Sequence, residues 1–422
     1  MSTKIKKMID WAKDLFPICR SITGEGARTT LKYFEKINPE LKRLKFKSGT
    51  KVFDWKIPKE WNIRNAYIEH ESGKKFANFK NNNLHVVGYS KPINVRITKK
   101  ELIKKIHSIK NQPDAIPYVT SYYNEDWGFC MSENEKKKLP DGKYKVFIDS
   151  KFKKGFLDIS HALIKGKSKK EIFFSSYICH PSMANNELSG PVLLNAIMIY
   201  LKKYKSLKYS YRFALVPETI GSIAYLSKFI KKMQLNIICG FNLTCVGDER
   251  AYSFVTSRRE NTISDEAIQA ALNGFKNVKK YSYLDRGSDE RQYCAAKVDL
   301  PLSSFSRSKV YPEYHTSKDN FKVVTQKGLE GSLNVMKNII DAFELGLYPE
   351  TKILCEPNLG KRGLYPLISK KNNRNDEINL RMNLIAYADG KKNLFEIANI
   401  LNKSLSQVCN EYRLLKKIRI LK

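Results

Sequence analysis

The sequence predicts an α/β protein with a mixed sheet covered by helices, a β-rich insertion, and three terminal helices arranged as a winged helix-turn-helix. Three observations predict it. From about residue 143, strongly apolar strand-like runs alternate with helical periodicity, and such alternation builds a largely parallel or mixed sheet with helices on its faces. Between about 45 and 135 the texture is instead aromatic, β-branched and turn-rich, as in short antiparallel strands. Near the C-terminus, three helical patterns follow one another with a short turn between the last two.

At the N-terminus, apolar residues at Ile5, Met8, Ile9, Ala12, Leu15 and Phe16 have helical spacing. In RSITGEGARTTLKYFEKI, Gly24 and Gly26 make a turn, and helix resumes over 27–37. The insertion is carried by VFDWKIPKEW, NAYIEH, NNNLHVVGYS and IPYVTSYYNEDWGFCMS. Then KYKVFIDS, GFLDISHALI, EIFFSSYICH, YSYRFALVPE and LNIICGFNLTCVG read as strands, with SGPVLLNAIMIYLKKY and SIAYLSKFIKKM as helices between them. Past about 350, LYPETKILCEPNLGKRGLYP and SKKNNRNDE read as a linker. INLRMNLIAYAD, NLFEIANILN and LSQVCNEYRLLKKI, the last capped by Ser404, are the three terminal helices. The expected domains are 1–45 with 136–350 (α/β), 46–135 (insertion), 351–375 (linker) and 376–422 (winged helix).

Composition bounds the setting. No apolar run approaches the roughly 20 residues that cross a bilayer, and MSTKIKKMIDWAKDLF lacks the apolar centre of a signal peptide. The 8 cysteines have no CxxC spacing, which favours free thiols in a reducing compartment. A cytoplasmic protein without a membrane partner is expected. The net charge of +34 raises nucleic acid as a partner. The lysines are scattered among many Asn and Ile, however, as a genome biased to A and T would place them. Nucleic acid is therefore the less favoured partner, a small-molecule or peptide-like substrate the favoured one, and a homo-oligomer is compatible with the sequence.

Only 6 histidines are present. His180 follows an apolar strand, and His315 lies in the polar loop PEYHTSKDNF; ligands bind at the carboxyl ends of strands in open α/β sheets. Carboxylates at further strand ends are Glu187, Glu218, Asp248, Asp289 and Glu290. Nitrogen and oxygen donors converging from separate strands suit a hydrolytic metal ion with one position left for water. Glu218 closes the very apolar strand YRFALV, where a carboxylate is costly unless paired or metal-bound. Its alternative role is to cap the helix that follows.

CHPSMANNELSG, PETIGS, LTCVGD, GSDE and YHTSKD, in this order, resemble the co-catalytic zinc aminopeptidases of peptidase clan MH. With CRSITGEG, WKIPKEW and the terminal winged helix, the whole chain resembles a bacterial aminopeptidase-like family with a domain of unknown function, often encoded beside polysaccharide biosynthesis genes. The resemblance implies a zinc-aminopeptidase-like, three-layer α/β/α fold. It makes His180 the first zinc ligand, position 186 the metal-bridging carboxylate, Glu218 base or ligand, Thr244 a second-metal ligand and His315 the closing histidine.

This chain departs from that pattern at three places. Asn186 and Thr244 replace two aspartates, and Pro217 precedes a single Glu218 where a Glu pair is expected. A neutral Asn oxygen is a poor bridge between cations. One zinc ion is therefore expected, held by His180 and His315 with oxygens from Asn186, Glu187, Glu218, Asp248 or Asp289. Glu218 is the preferred base. Asp289 either orients a ligand or recognises a substrate amine. Arg307 and Tyr311 are candidate contacts for a substrate carboxylate or oxyanion, or else ordinary packing residues. Trp55, Trp61, Tyr122, Tyr123 and Trp127 either wall the pocket or build the insertion's own core.

The function expected is an aminopeptidase-like hydrolase of an amide in a small amino-acid or amino-sugar conjugate. A ligand-binding member without turnover and a DNA-binding regulator using the winged helix are the competing readings.

Overall fold

A computed structural model describes residues 2–365 and 376–422, with side chains from Met8 onward. Eight strands form the main sheet: β1 (Lys42–Lys47), β2 (Phe156–Ile164), β3 (Glu171–Tyr177), β4 (Ser210–Val216), β5 (Ile237–Leu243), β6 (Tyr252–Val255), β7 (Val278–Tyr281) and β8 (Leu302–Ser306). Their spatial order is β1-β2-β4-β3-β5-β8-β6-β7. The centre is parallel, β4 and β5 flanking β3 and β8 pairing with β5. β1, β2 and β4 pair antiparallel, as do β6 and β8. Every residue of β3 and of β4 is buried, which is why these strands lack polar alternation: both faces are covered.

One face carries the helices Ser2–Leu15, Ser189–Leu201, Ile263–Leu272 and Gln326–Leu345, whose apolar residues meet Phe174, Phe213 and Phe241 of the sheet in one core. The other face is covered by Ile220–Asn236, with Tyr225 stacked on Phe173. The turn before the helix Glu25–Ile37 depends on glycine. Gly24 has φ 98°, and a Cβ on it would fall 2.1 Å from the Trp61 carbonyl oxygen; only glycine accepts both conditions.

The insertion's four-stranded antiparallel sheet is ordered Lys75–Phe76, Glu60–His70, Lys143–Lys153, Ile93–Thr98. The expected boundary at 135 is therefore too early. Lys143–Lys153 pairs along its length with Glu60–His70 and with Ile93–Thr98, so the insertion's sheet runs on to residue 153. A core of its own, around Tyr144, Phe129 and Ile68, underlies it.

The terminal helices are Asp376–Tyr387, Leu394–Leu401 and Leu405–Lys417, and Ser404 caps the last in a reciprocal arrangement with Gln407. The start of the expected linker belongs with this module. Thr351 donates its backbone N–H to Ala388 and Lys352 to Ile420, each at 2.9 Å. The expected linker residues 366–375 lie outside the described residues. Leu394, Phe395, Val408, Tyr412 and Leu415 bury in the same core as the sheet's helices, with Phe395 edge-on to Phe343 at 5.2 Å.

A shared core makes the two parts one cooperative unit. Phe395→Ala should cost about 3–5 kcal/mol and lower a single calorimetric transition. Two transitions, of which only one moves, would contradict a shared core.

Candidate active site

The site begins with a buried ion pair. Arg20 lies just before the Gly24 turn, and Glu187 lies in the tight helical turn Ala184–Leu188 that leads into Ser189–Leu201. Their side chains are fully enclosed, with Arg20 Nε 3.1 Å from Glu187 Oε1. Arg20 also donates to the carbonyls of Leu15 at 2.6 Å and His180 at 2.9 Å. Glu187 Oε2 accepts the backbone N–H groups of Cys179 and His180 at 3.3 and 3.0 Å. Burial raises the Glu187 carboxyl, and Arg20 with these N–H donors offsets only part of that rise.

The same Oε2 lies 3.2 Å from His180 Nδ1. A carboxylate only accepts, so Nδ1 carries the proton and Nε2 presents its lone pair. That nitrogen faces Glu218 Oε2 at 3.7 Å. The rings of His180 and His315 lie 5.4 Å apart, and His315 Nε2 is buried without a partner. Burial first, and nearby positive charge second, lower both imidazoles to about 3, so both are in the neutral form that binds metals.

The two imidazoles and the Glu218 carboxylate thus line one cavity, and they are residue types that suit zinc. Cys179, His180 and Glu187 form a tighter group. It is a weaker candidate, because Glu187 is occupied by Arg20 and three N–H groups, and burial raises the Cys179 thiol well above its usual range. Glu187 also meets His180 from behind, at Nδ1.

Asn186 stands beside this set. Its Nδ2 donates to Tyr177 Oη at 2.9 Å, and Tyr177 Oη lies 2.7 Å from Thr244 Oγ1. Asn186 Oδ1 is buried and unpartnered. A chain of neutral groups therefore joins the two positions where the resemblance places metal-binding carboxylates. Asp319 fixes the loop from below, accepting the N–H groups of Asn185 and Asn186 at 2.6 and 2.8 Å and the Tyr311 hydroxyl at 2.8 Å.

Glu218 is not a helix cap. Thr219 occupies that position, and Glu218 Oε1 accepts the Ser288 hydroxyl at 2.7 Å. Thr219 has φ 64°, a conformation costly for a β-branched residue. Asp289 braces it, accepting the Thr219 N–H at 2.8 Å and the Ser222 hydroxyl at 2.7 Å. Enclosed at 0% exposure, Asp289 positions the Glu218 turn through Oδ1, and its Oδ2 is buried without a partner. Burial raises the carboxyls of both Glu218 and Asp289.

Two cavities flank Glu218. One, of 470 Å³, is lined by His180, His315 and Arg291 and by Trp55, Tyr118, Tyr122 and Tyr123 of the insertion. The other, of 280 Å³, has hydroxyl-bearing walls that include Tyr177, Thr244, Ser288, Tyr311 and Tyr314. Tyr311 thus borders the site, with its hydroxyl committed to Asp319. Arg307 lines neither cavity; its guanidinium lies 3.6 Å from the centre of the Tyr252 ring, which makes it a packing residue. Asp248 is also remote in role, accepting from Asn185 and Ser308. Trp61 and Trp127 are core residues, Trp61 donating to the Ser90 carbonyl at 2.9 Å.

Sequence reasoning missed Tyr118. Its ring sits edge-on to both His180 and His315, at 5.1 and 5.2 Å, and its N–H donates to the His315 carbonyl at 2.8 Å. It missed Arg20 and Asp319 as well, although both lie in motifs it quoted, CRSITGEG and YHTSKD.

Arg20→Met should destabilise the fold by about 3–5 kcal/mol by leaving a buried carboxylate unpaired. Adding Glu187→Gln should recover much of the melting temperature. Zinc titration of the double variant should still show affinity weakened by about 10–100-fold, because His180 has lost its orienting carboxylate.

Comparison with known proteins agrees with this architecture. Residues 9–346 match a family model described as a domain of unknown function (DUF4910), and residues 347–422 match one described as winged helix-turn-helix. A Clostridium acetobutylicum protein named for polysaccharide biosynthesis and an aminopeptidase-like domain is 40% identical over 393 residues, spanning 92% of this chain and 89% of its own. The crystal structure of a candidate peptidase from C. acetobutylicum is similar with a TM-score of 0.91 and 37% identity, over 100% of this chain and 97% of that one. BSAP, a zinc aminopeptidase from Bacillus subtilis, shares the fold at a TM-score of 0.60 and 13% identity, over 80% of this chain and 93% of its own. The expected aminopeptidase-like α/β fold and terminal winged helix are both present. By the extent of these matches, the chain belongs to the DUF4910 family, in which an aminopeptidase-like domain is here joined to a winged helix-turn-helix.

Proposed function

We propose that this protein is a single-zinc hydrolase of an amide bond in a small amino-acid or amino-sugar conjugate, acting in surface polysaccharide biosynthesis. The observation that carries the reading is that His180, His315 and Glu218 line one cavity, with His180 Nε2 3.7 Å from Glu218 Oε2 and His315 Nε2 buried without a partner. The zinc aminopeptidase with the same fold and the polysaccharide name of the C. acetobutylicum relative support the metal and the setting.

Held by His180 and His315, zinc would supply a Lewis acid and lower the pKa of a bound water. The residues of the chain do the rest. Glu187 keeps the His180 proton on Nδ1. Glu218, with its carboxyl raised by burial, can take a proton from the attacking water and return it to the leaving nitrogen. The Ser288 hydroxyl and the Asp289-braced Thr219 turn hold that carboxylate in place. Tyr118 excludes water from the flank of both imidazoles. The neutral link of Asn186, Tyr177 and Thr244 favours one ion over two, since no carboxylate bridges the pair of positions.

Purified protein should contain about one zinc per chain, and His180→Ala should contain almost none. Equal, negligible metal in both would refute the metal reading. Glu218→Gln should lower turnover of aminoacyl-amide or N-acyl amino-sugar substrates by at least about 100-fold; unchanged turnover would remove Glu218 from the mechanism.

A further inference from the structure

Beside the catalytic cavity lies an open groove of 580 Å³, bordered by Trp55, Tyr123, Lys56, Lys59, Lys154 and Asp54. Trp55 and Tyr123 line both this groove and that cavity. We propose that this groove is a second subsite, which receives the phosphate-bearing sugar end of the substrate while the amide lies at His180 and His315. The proposal rests on the hydrolase reading of the adjacent cavity and names its substrate class: a phosphorylated or nucleoside-diphosphate-linked amino sugar.

Three features carry it. The first is an uncovered aromatic platform. Trp55 is 38% and Tyr123 51% exposed, with ring centres 5.7 Å apart, and Phe53 is 54% exposed at the tip of the same hairpin. Large aromatics left in water forgo the burial that usually stabilises them. Their faces match the apolar face of a pyranose or the ring of a base.

The second feature is the backbone that presents them. Phe53 has φ 54° and Tyr122 φ 26°, a region disfavoured for bulky residues. The hairpin Lys51–Lys56 and the loop before Tyr123 thus hold the two rings in place against local strain, as binding sites often do.

The third is charge. Lys56, Lys59 and Lys154 are exposed, and among the described residues none has a carboxylate within salt-bridge distance, whereas neighbouring Lys153 pairs with Glu60 at 3.4 Å. Three ammonium groups face a single lining carboxylate, Asp54. Lysines bind phosphate as point charges. Platform and cations together fit a sugar phosphate better than a peptide, whose backbone amides would find few fixed partners among these side chains.

Calorimetric titration of the full chain tests the subsite. UDP-N-acetylglucosamine should bind at least about tenfold more tightly than N-acetylglucosamine. The triple variant Lys56→Gln, Lys59→Gln, Lys154→Gln should lose about tenfold for the UDP-sugar and show a shallower salt dependence. Trp55→Ala should weaken both ligands. Equal affinity for the two sugars, no measurable binding of the UDP-sugar, indifference to the lysine substitutions, or equally tight binding of an acidic tripeptide would each overturn the proposal. Metal content is read separately, so failure of the zinc reading leaves this result intact.

Discussion

The buried pair of Arg20 and Glu187 is the interaction on which the rest of the site depends. Two charges taken wholly out of water are expensive, and their attraction offsets that cost only where the remaining donors and acceptors are satisfied. Here the surrounding main chain does so: carbonyls of Leu15 and His180 take the guanidinium's protons, and N–H groups of Cys179 and His180 fill the carboxylate. One contact thereby joins the N-terminal turn, the loop after the central strand and the start of the buried helix. The orientation of the first imidazole is a by-product of that knot, because the oxygen that gathers the N–H groups also fixes the ring's tautomer.

The altered residues around the metal position form a consistent set. Asn186 and Thr244 are linked through Tyr177 without any formal charge. The acid that remains nearby, Asp319, has turned to the main chain and the Tyr311 hydroxyl. Such a shell balances fewer positive charges than one with two bridging or capping carboxylates. Under the proposed function, such a shell suits a single ion with Glu218 as the base, and the hydroxyl-rich second cavity would suit a polar group of the substrate.

Much of this was legible in the sequence, and the reasons differ from element to element. Continuous apolar runs exposed β3 and β4, because full burial removes alternation. Ser404 announced its helix through a local capping pattern. His180, Glu218 and His315 were visible as polar residues at the ends of buried strands. Non-local facts were hidden. Lys143–Lys153 alternates as any half-buried antiparallel strand would, so nothing local says that its partners lie in the insertion. Arg20 looked like a turn residue, since only the folded core shows what encloses it. Arg307 looked like a ligand contact because its loop carries His315; its stacking on Tyr252 depends on a strand far away in the chain.

The loop that carries His315 is held as much by the insertion as by the sheet. Pro117 bridges Thr316, Ile116 and Ser317 exchange hydrogen bonds, Gln112 reaches the Pro312 carbonyl, and Tyr118 holds the His315 carbonyl. The His315 imidazole is in effect delivered by a module that also supplies Tyr118, Tyr122 and Tyr123 to the pocket wall. Specificity and ion affinity are therefore inherited together. Diversification of that module within the family would retune both at once, and a graft of the bare α/β scaffold would carry neither intact.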